Sequence, residues 1–178
     1  GEALTVEHDF GDTSDDGGDD GGDDGGDDGG DDGGDDGGGM TGDNVLSITG
    51  SDVDAGGSTT ISVDIDNPYD NIAGFQVYLT DFPNSYGSFI SATGTDRTAG
   101  FEIQSNEQDD GTFIVLGFDL TLTGISQGSG PILNIEYQSD AIYTAEIEVG
   151  YGNETILSSS TGTALDYTAS GGIINVSG

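Results

Sequence analysis

From Asn44 onward, apolar and polar residues alternate with the period of two expected of half-buried strands. Thr59 to Asp66 sets Ile61, Val63 and Ile65 against Ser62, Asp64 and Asp66, and Asn67-Pro68 ends the run. Gly74 to Thr80 turns Phe75, Val77 and Leu79 to one side. Val45 to Thr49, Ser88 to Ala92, Thr112 to Leu120, Ile132 to Tyr137, Glu146 to Tyr151, Thr155 to Ser158 and Ile173 to Val176 complete a series of eight or nine short strands. No stretch holds a helical period over three turns, so the pattern predicts an all-β antiparallel β-sandwich of the jelly-roll or immunoglobulin-like kind. The expected core is Ile61, Val63, Ile65, Phe75, Val77, Leu79, Ile114, Leu116, Phe118, Ile132, Ile135, Ile147 and Val149.

One alternating segment stands apart. Leu4, Val6, His8 and Phe10 share one face and Thr5, Glu7 and Asp9 the other, and six consecutive Asp-Asp-Gly-Gly copies from Asp15 to Gly38 separate this strand from the rest. A lone strand is not stable in water, so its apolar face needs a groove in its own domain or in a neighbour's. Three parts follow: a strand over 1–12, an acidic linker over 13–43 and a sandwich domain over 44–178.

The linker sets the charge. With 35 acids against one base, Arg97, the formal net charge is −34, which excludes nucleic acid and anionic membrane as partners by repulsion. Carboxylates in the repeat recur about every 7 Å along an extended chain, where two unit charges in water interact by about RT. Monovalent ions are held weakly at that spacing, whereas Ca²⁺, which prefers carboxylate oxygens, should collect on Asp15, Asp16, Asp19, Asp20, Asp23, Asp24, Asp27, Asp28, Asp31, Asp32, Asp35 and Asp36. Neither a helix-loop-helix calcium loop nor a β-roll repeat fits the tract, and a self-repelling solvated spacer is the alternative.

The chain has no Cys, hence no disulfide, thiolate zinc site or cysteine nucleophile, and no Lys, hence no Schiff-base or phosphate-loop chemistry. No run of 18 apolar residues predicts a membrane span. The Ser/Thr/Gly-rich composition and a start at Gly-Glu-Ala without Met suit a protein whose leader has been removed, so an extracellular or cell-surface setting is expected.

The segments "VDAGGSTTISVDIDNP", "IAGFQVYLTDFP", "GTFIVLGFDLTLTGISQGSGPILNIEY" and "GGIINV" together resemble the cohesin-like domains of bacterial extracellular proteins, most specifically between Val115 and Leu133. The resemblance covers most of Asn44 to Val176. It implies a jelly-roll sandwich of about nine strands in a scaffolding or carbohydrate-associated setting, and cohesins bind dockerins through one sheet face.

Candidate chemistry is sparse. His8, the only histidine, has no nucleophile beside it in the sequence and reads as a strand residue at a groove mouth. No apolar pocket signature surrounds any carboxylate pair, so no catalytic residue is assigned and no cofactor is required. Asp52 with Asp54, the Asp64, Asp66 and Asp70 group, and Asp109-Asp110 are further calcium candidates, although such groups are more often plain turns, which Asp and Asn stabilise through their own backbone. Arg97 is expected to pair with a nearby Asp. Asn153 and Asn175 match the N-glycan acceptor pattern, the first in a turn and the second in the closing strand, where partial burial is expected. The seven tyrosines could form a sugar-stacking platform, although the chain lacks Trp.

Two functions fit. In the first, the strand of residues 3–10 adds to the next copy's sandwich, giving a head-to-tail extracellular filament of this one chain. In the second, the domain is a cohesin-like binding module for a carbohydrate or protein partner, and the strand docks in its own domain. The linker reach of ~30 Å and a domain roughly 35 to 40 Å across allow both.

Overall fold

The computed structural model describes residues 43–178. Thirteen strands follow in order: β1 (Asn44–Thr49), β2 (Ser51–Asp54), β3 (Ser58–Asn67), β4 (Gly74–Phe82), β5 (Gly87–Gly94), β6 (Phe101–Glu107), β7 (Phe113–Asp119), β8 (Gly128–Ser139), β9 (Ala145–Tyr151), β10 (Ile156–Ser158), β11 (Ala164–Leu165), β12 (Tyr167–Ser170) and β13 (Gly172–Ser177). One sheet runs β12-β1-β3-β8-β5. In the other, β4 carries β7 and then β6 along one edge, while β10 and β9 share its opposite edge. From these the sheet continues to β11 on one side and through β13 to β2 on the other.

The sandwich expected from the alternation is the fold found. β1 and β2 are nearly one continuous strand that changes sheets at Gly50, where a Cβ would come within 1.9 Å of the Ile173 carbonyl oxygen. Only glycine lets β13 pass that close. β2 and β6 escape notice in the sequence because Val53 is the only buried residue of β2 and β6 has none.

Ten of the thirteen expected core residues are buried, joined by Leu46, Phe89, Phe113, Val115, Leu133, Tyr137, Leu157, Ile174 and Val176. The three exceptions all lie on β7. Phe113, Val115, Gly117 and Asp119 face inward, so Ile114 is only half-buried while Leu116 and Phe118 lie on the outer face, 39% and 38% exposed. β7 is apolar on both sides, so alternation could not choose between them. Gly117 fixes the choice: the Phe75 ring lies over it so closely that a Cβ there would be 2.1 Å from Phe75 Cζ. Phe75 in turn stacks on Phe101, centroids 5.9 Å apart.

At one end of the sandwich, Arg97 acts as a clip. Its guanidinium donates to Ile65 O (3.0 Å), Gly130 O (3.3 Å), Ser126 O (2.8 Å) and Asn67 Oδ1 (2.7 Å). The expected Asp partner is replaced by carbonyl and amide oxygens, because the 3₁₀ turn Asp96–Thr98 aims the side chain across the ends of β3 and β8. Asp66 acts on it only through its charge, and burial lowers the Arg97 pKa.

Candidate functional site

The outward side of the sheet formed by β6, β7, β4 and β10 is a regular grid. Register aligns Gln104, Leu116, Gln76 and Ile156 in one row across four strands. Beside it lie Glu102, Phe118, Gly74 and Ser158 in a second row and Asn106, Ile114 and Tyr78 in a third. Ile114, Leu116 and Phe118 therefore form an apolar column along β7, with Ile156, 48% exposed, two strands away. Amides, hydroxyls and one carboxylate border it. Alternation along a strand whose inner face is already packed ordinarily puts polar groups outside, so an apolar column here is unusual.

Two depressions shape the face. One of about 330 Å³ lies over Gly74 and Gly117, between Phe118, Leu116 and Ile156. The other, of about 500 Å³, opens from Gly74 and Phe118 toward Leu120, Leu122 and the Ser158–Gly162 turn. Leu120 and Leu122 project into solvent from a loop held by Asp119. The Asp119 carboxylate accepts from Thr121 N–H (2.8 Å), the Thr121 hydroxyl (2.7 Å) and Gly124 N–H (2.8 Å), and these hydrogen bonds, that from Gly124 first, hold its pKa below the usual value. Leu122 sits at φ +58°, an arrangement costly for a leucine that the Asp119 clamp sustains.

Among the described residues, no catalytic constellation surrounds the groups with shifted pKa values. Burial raises the Asp81 carboxyl pKa against the opposing hydrogen bond from the Tyr137 hydroxyl, and burial also raises Tyr137. A phenol held in its neutral form is no nucleophile, and the pair fastens β8 to β4 across the core.

The calcium candidates within the domain do not assemble: among the described residues, no group of three His, Asp or Glu side chains is placed to hold a metal. Asp52 accepts from Asn175, Asp54 from Ser177, Asp64 from Thr49 and Ser62, Asp70 from Asn44 and Asp110 from Thr112 N–H. These five carboxylates each satisfy a neighbouring strand or turn donor instead, while Asp66 and Asp109 accept no hydrogen bond within the described domain. The tyrosines are dispersed: Tyr137 is buried, Tyr151 and Tyr167 pack on the core, Tyr86 meets Tyr143 edge to face, Tyr78 lies beside Ile114 on the outer sheet face, and Tyr69 is exposed between β3 and β4. Asn153 is exposed in the turn between β9 and β10. Asn175 is exposed as well, not partly buried, because β13 turns Ile174 and Val176 inward and Asn175 outward. Leu4, Val6, His8 and Phe10, and the tract from Asp15 to Asp36, lie outside the described residues.

Sequence resemblance and structure agree on the fold. The sixth cohesin of scaffoldin B from Acetivibrio cellulolyticus, solved in complex with the Cel5 dockerin, matches with a TM-score of 0.64 at 21% identity, over 75% of this chain and 99% of that one. A non-cellulosomal cohesin from the archaeon Archaeoglobus fulgidus matches at 0.64 with 12% identity, covering 76% of this chain and 92% of its own. The cohesin CaCohA2 from Clostridium acetobutylicum matches at 0.64 with 14% identity, over 76% and 92%. No family model and no curated protein matches the sequence. The described domain has a cohesin-like jelly-roll fold.

Donation of a strand into an incomplete sandwich requires a groove that the recipient leaves unfilled, whereas addition at a sheet edge requires only free main-chain groups. Leu46, Val63, Val77, Val115 and Ile135, drawn from both sheets, are each 0% exposed, so the described domain fills its interior with its own side chains. The filament reading finds no support here, and the binding-module alternative fits the fold better.

Proposed function

We propose that this chain is a non-catalytic protein-binding module of an extracellular or cell-surface assembly. It docks its partner on the outer face of β6, β7, β4 and β10. The observation that carries the reading is the exposed column of Ile114, Leu116 and Phe118 with Ile156 nearby, on a sheet whose inner side is already packed. Leu116, Phe118 and Ile156 are 38 to 48% exposed, so covering them recovers a little under half of the value of full burial, about 0.6 to 1.4 kcal/mol each before ordering costs. Cohesins of the same fold are described in complex with dockerins, which favours a compact dockerin-like module as the partner. In this reading the Asp15 to Asp36 tract is an acidic spacer that concentrates Ca²⁺, and Asn153 offers an accessible glycan acceptor.

The test compares proteins captured from the secreted fraction of the source organism by wild type, by Leu116→Asp with Phe118→Asp, and by Thr168→Asp on the opposite sheet. A partner retained by wild type and Thr168→Asp but lost from the double variant supports the face. Equal capture by all three refutes it.

A further inference from the structure

The same outer surface carries a second feature, at the other half of β4. Register places Phe82, Glu148 and Ile173 side by side across β4, β9 and β13, all pointing outward. Phe82 is 71% exposed and Ile173 46%. Beside this row, a groove of about 380 Å³ runs over Gly150 and past Thr80.

Gly150 is the unusual residue. A glycine inside a strand weakens it, and its ordinary justifications are a bulge, a left-handed backbone or a neighbour that a Cβ would strike. Gly171 and Gly172 have that last justification, since a Cβ on either would come within 2.6 Å of a backbone oxygen. Gly150 does not: a Cβ there would meet only Thr80 Oγ1, at 4.0 Å, and its φ lies outside the left-handed region. Packing does not demand the missing side chain. What its absence does is keep the groove open.

We infer that this groove receives a lysine or arginine side chain of a partner protein. The apolar flanks, Ile173 and the Phe82 ring, suit the methylene stem. The Glu148 carboxylate between them suits the cationic head, which Phe82 also attracts through its ring face. Charge decides among occupants. A purely apolar group would strip water from Glu148 without compensation, an anion meets a chain of net charge −34, and a neutral sugar gains nothing from that charge. The chain has no lysine and its single arginine, Arg97, is tied to four oxygens near the start of β8, so a lysine or arginine in this groove comes from another molecule. This site is separate from the Leu116 column and stands without it.

The experiment is an amide NMR titration of the full chain with acetyl-lysine-amide, and with acetyl-norleucine-amide, which has the same stem without the charge. Gly150→Val closes the groove without altering charge and suits a strand. The expected result is saturable shifts at the amides of Gly150, Gly171 and Ile173 with the lysine probe, absent with norleucine and absent in Gly150→Val. Binding along the acidic tract leaves those amides still and is unaffected by the substitution. Equal shifts with norleucine, persistence of the shifts in Gly150→Val, no shifts at all, or saturation of the same amides by cellobiose in place of lysine would each overturn the assignment.

Discussion

Replacing Arg97 by Met keeps the side-chain stem and removes the fork that joins Ile65, Gly130, Ser126 and Asn67. The four acceptors lose unequally. Ser126 O still accepts from the Asn67 amide at 3.2 Å, whereas Asn67 is 0% exposed and its Oδ1 loses the donor that satisfies it. One buried acceptor left bare costs about 1 to 3 kcal/mol, and the three weakened carbonyl contacts add to that while relief of guanidinium desolvation subtracts. The expected loss is about 2 to 3 kcal/mol, or roughly 6 to 15 °C in Tm for a domain of this size. Arg97→Lys discriminates the cause: an ammonium reaches fewer acceptors than a planar fork, so it should recover less than half of the loss. Urea denaturation of the three proteins, each at low and at high salt, makes the measurement, and a clip made of hydrogen bonds to neutral oxygens should respond little to salt. Full rescue by Lys, together with a strong salt dependence, would mean that the charge opposite Asp66 matters and the fork does not. A loss below about 0.5 kcal/mol, the ordinary scatter of surface substitutions, would refute the clip altogether.

Gly117→Ala should destabilise the domain by about 1 to 3 kcal/mol by forcing Phe75 off its stack on Phe101, and thermal unfolding with near-UV circular dichroism should register both effects. Asp119, whose folded pKa is depressed, contributes stability that is present above the ordinary carboxylate value of about 3.9 and lost as pH falls through the lowered value; Asp119→Asn should remove that acid-side dependence and speed amide exchange at Gly124. Asp81 has the opposite sign: its raised pKa makes its contribution complete below the ordinary carboxylate value and lost as pH rises through the folded one, so Asp81→Asn should flatten that part of the stability profile. Calorimetry of calcium with a peptide spanning residues 13–43 should give heat that an Asp-to-Asn version does not; equal heats would make the tract an inert spacer.

Alternation, turn residues and the shortage of helix formers were enough to establish a β-sandwich after residue 43, because one face of each of β3, β4 and β9 is plainly apolar and a period of two then dictates which side is buried. The expectation that nucleic acid is no partner came from net charge, which composition alone carries. The orientation of β7 was beyond reach in one dimension. Both of its faces are apolar, and what assigns Leu116 and Phe118 to the outside is the Phe75 ring seated on Gly117, a contact between residues 42 positions apart in sequence. The candidate docking face is made by that choice, so the site was invisible where the fold was legible. The same holds for Arg97, whose acceptors lie near it only once β3 and β8 are paired, and for Gly150, which becomes informative only when its neighbours are known not to need it. Local pattern fixes which residues prefer to be buried, while tertiary contact decides which of two apolar faces wins the core and which stays on the surface.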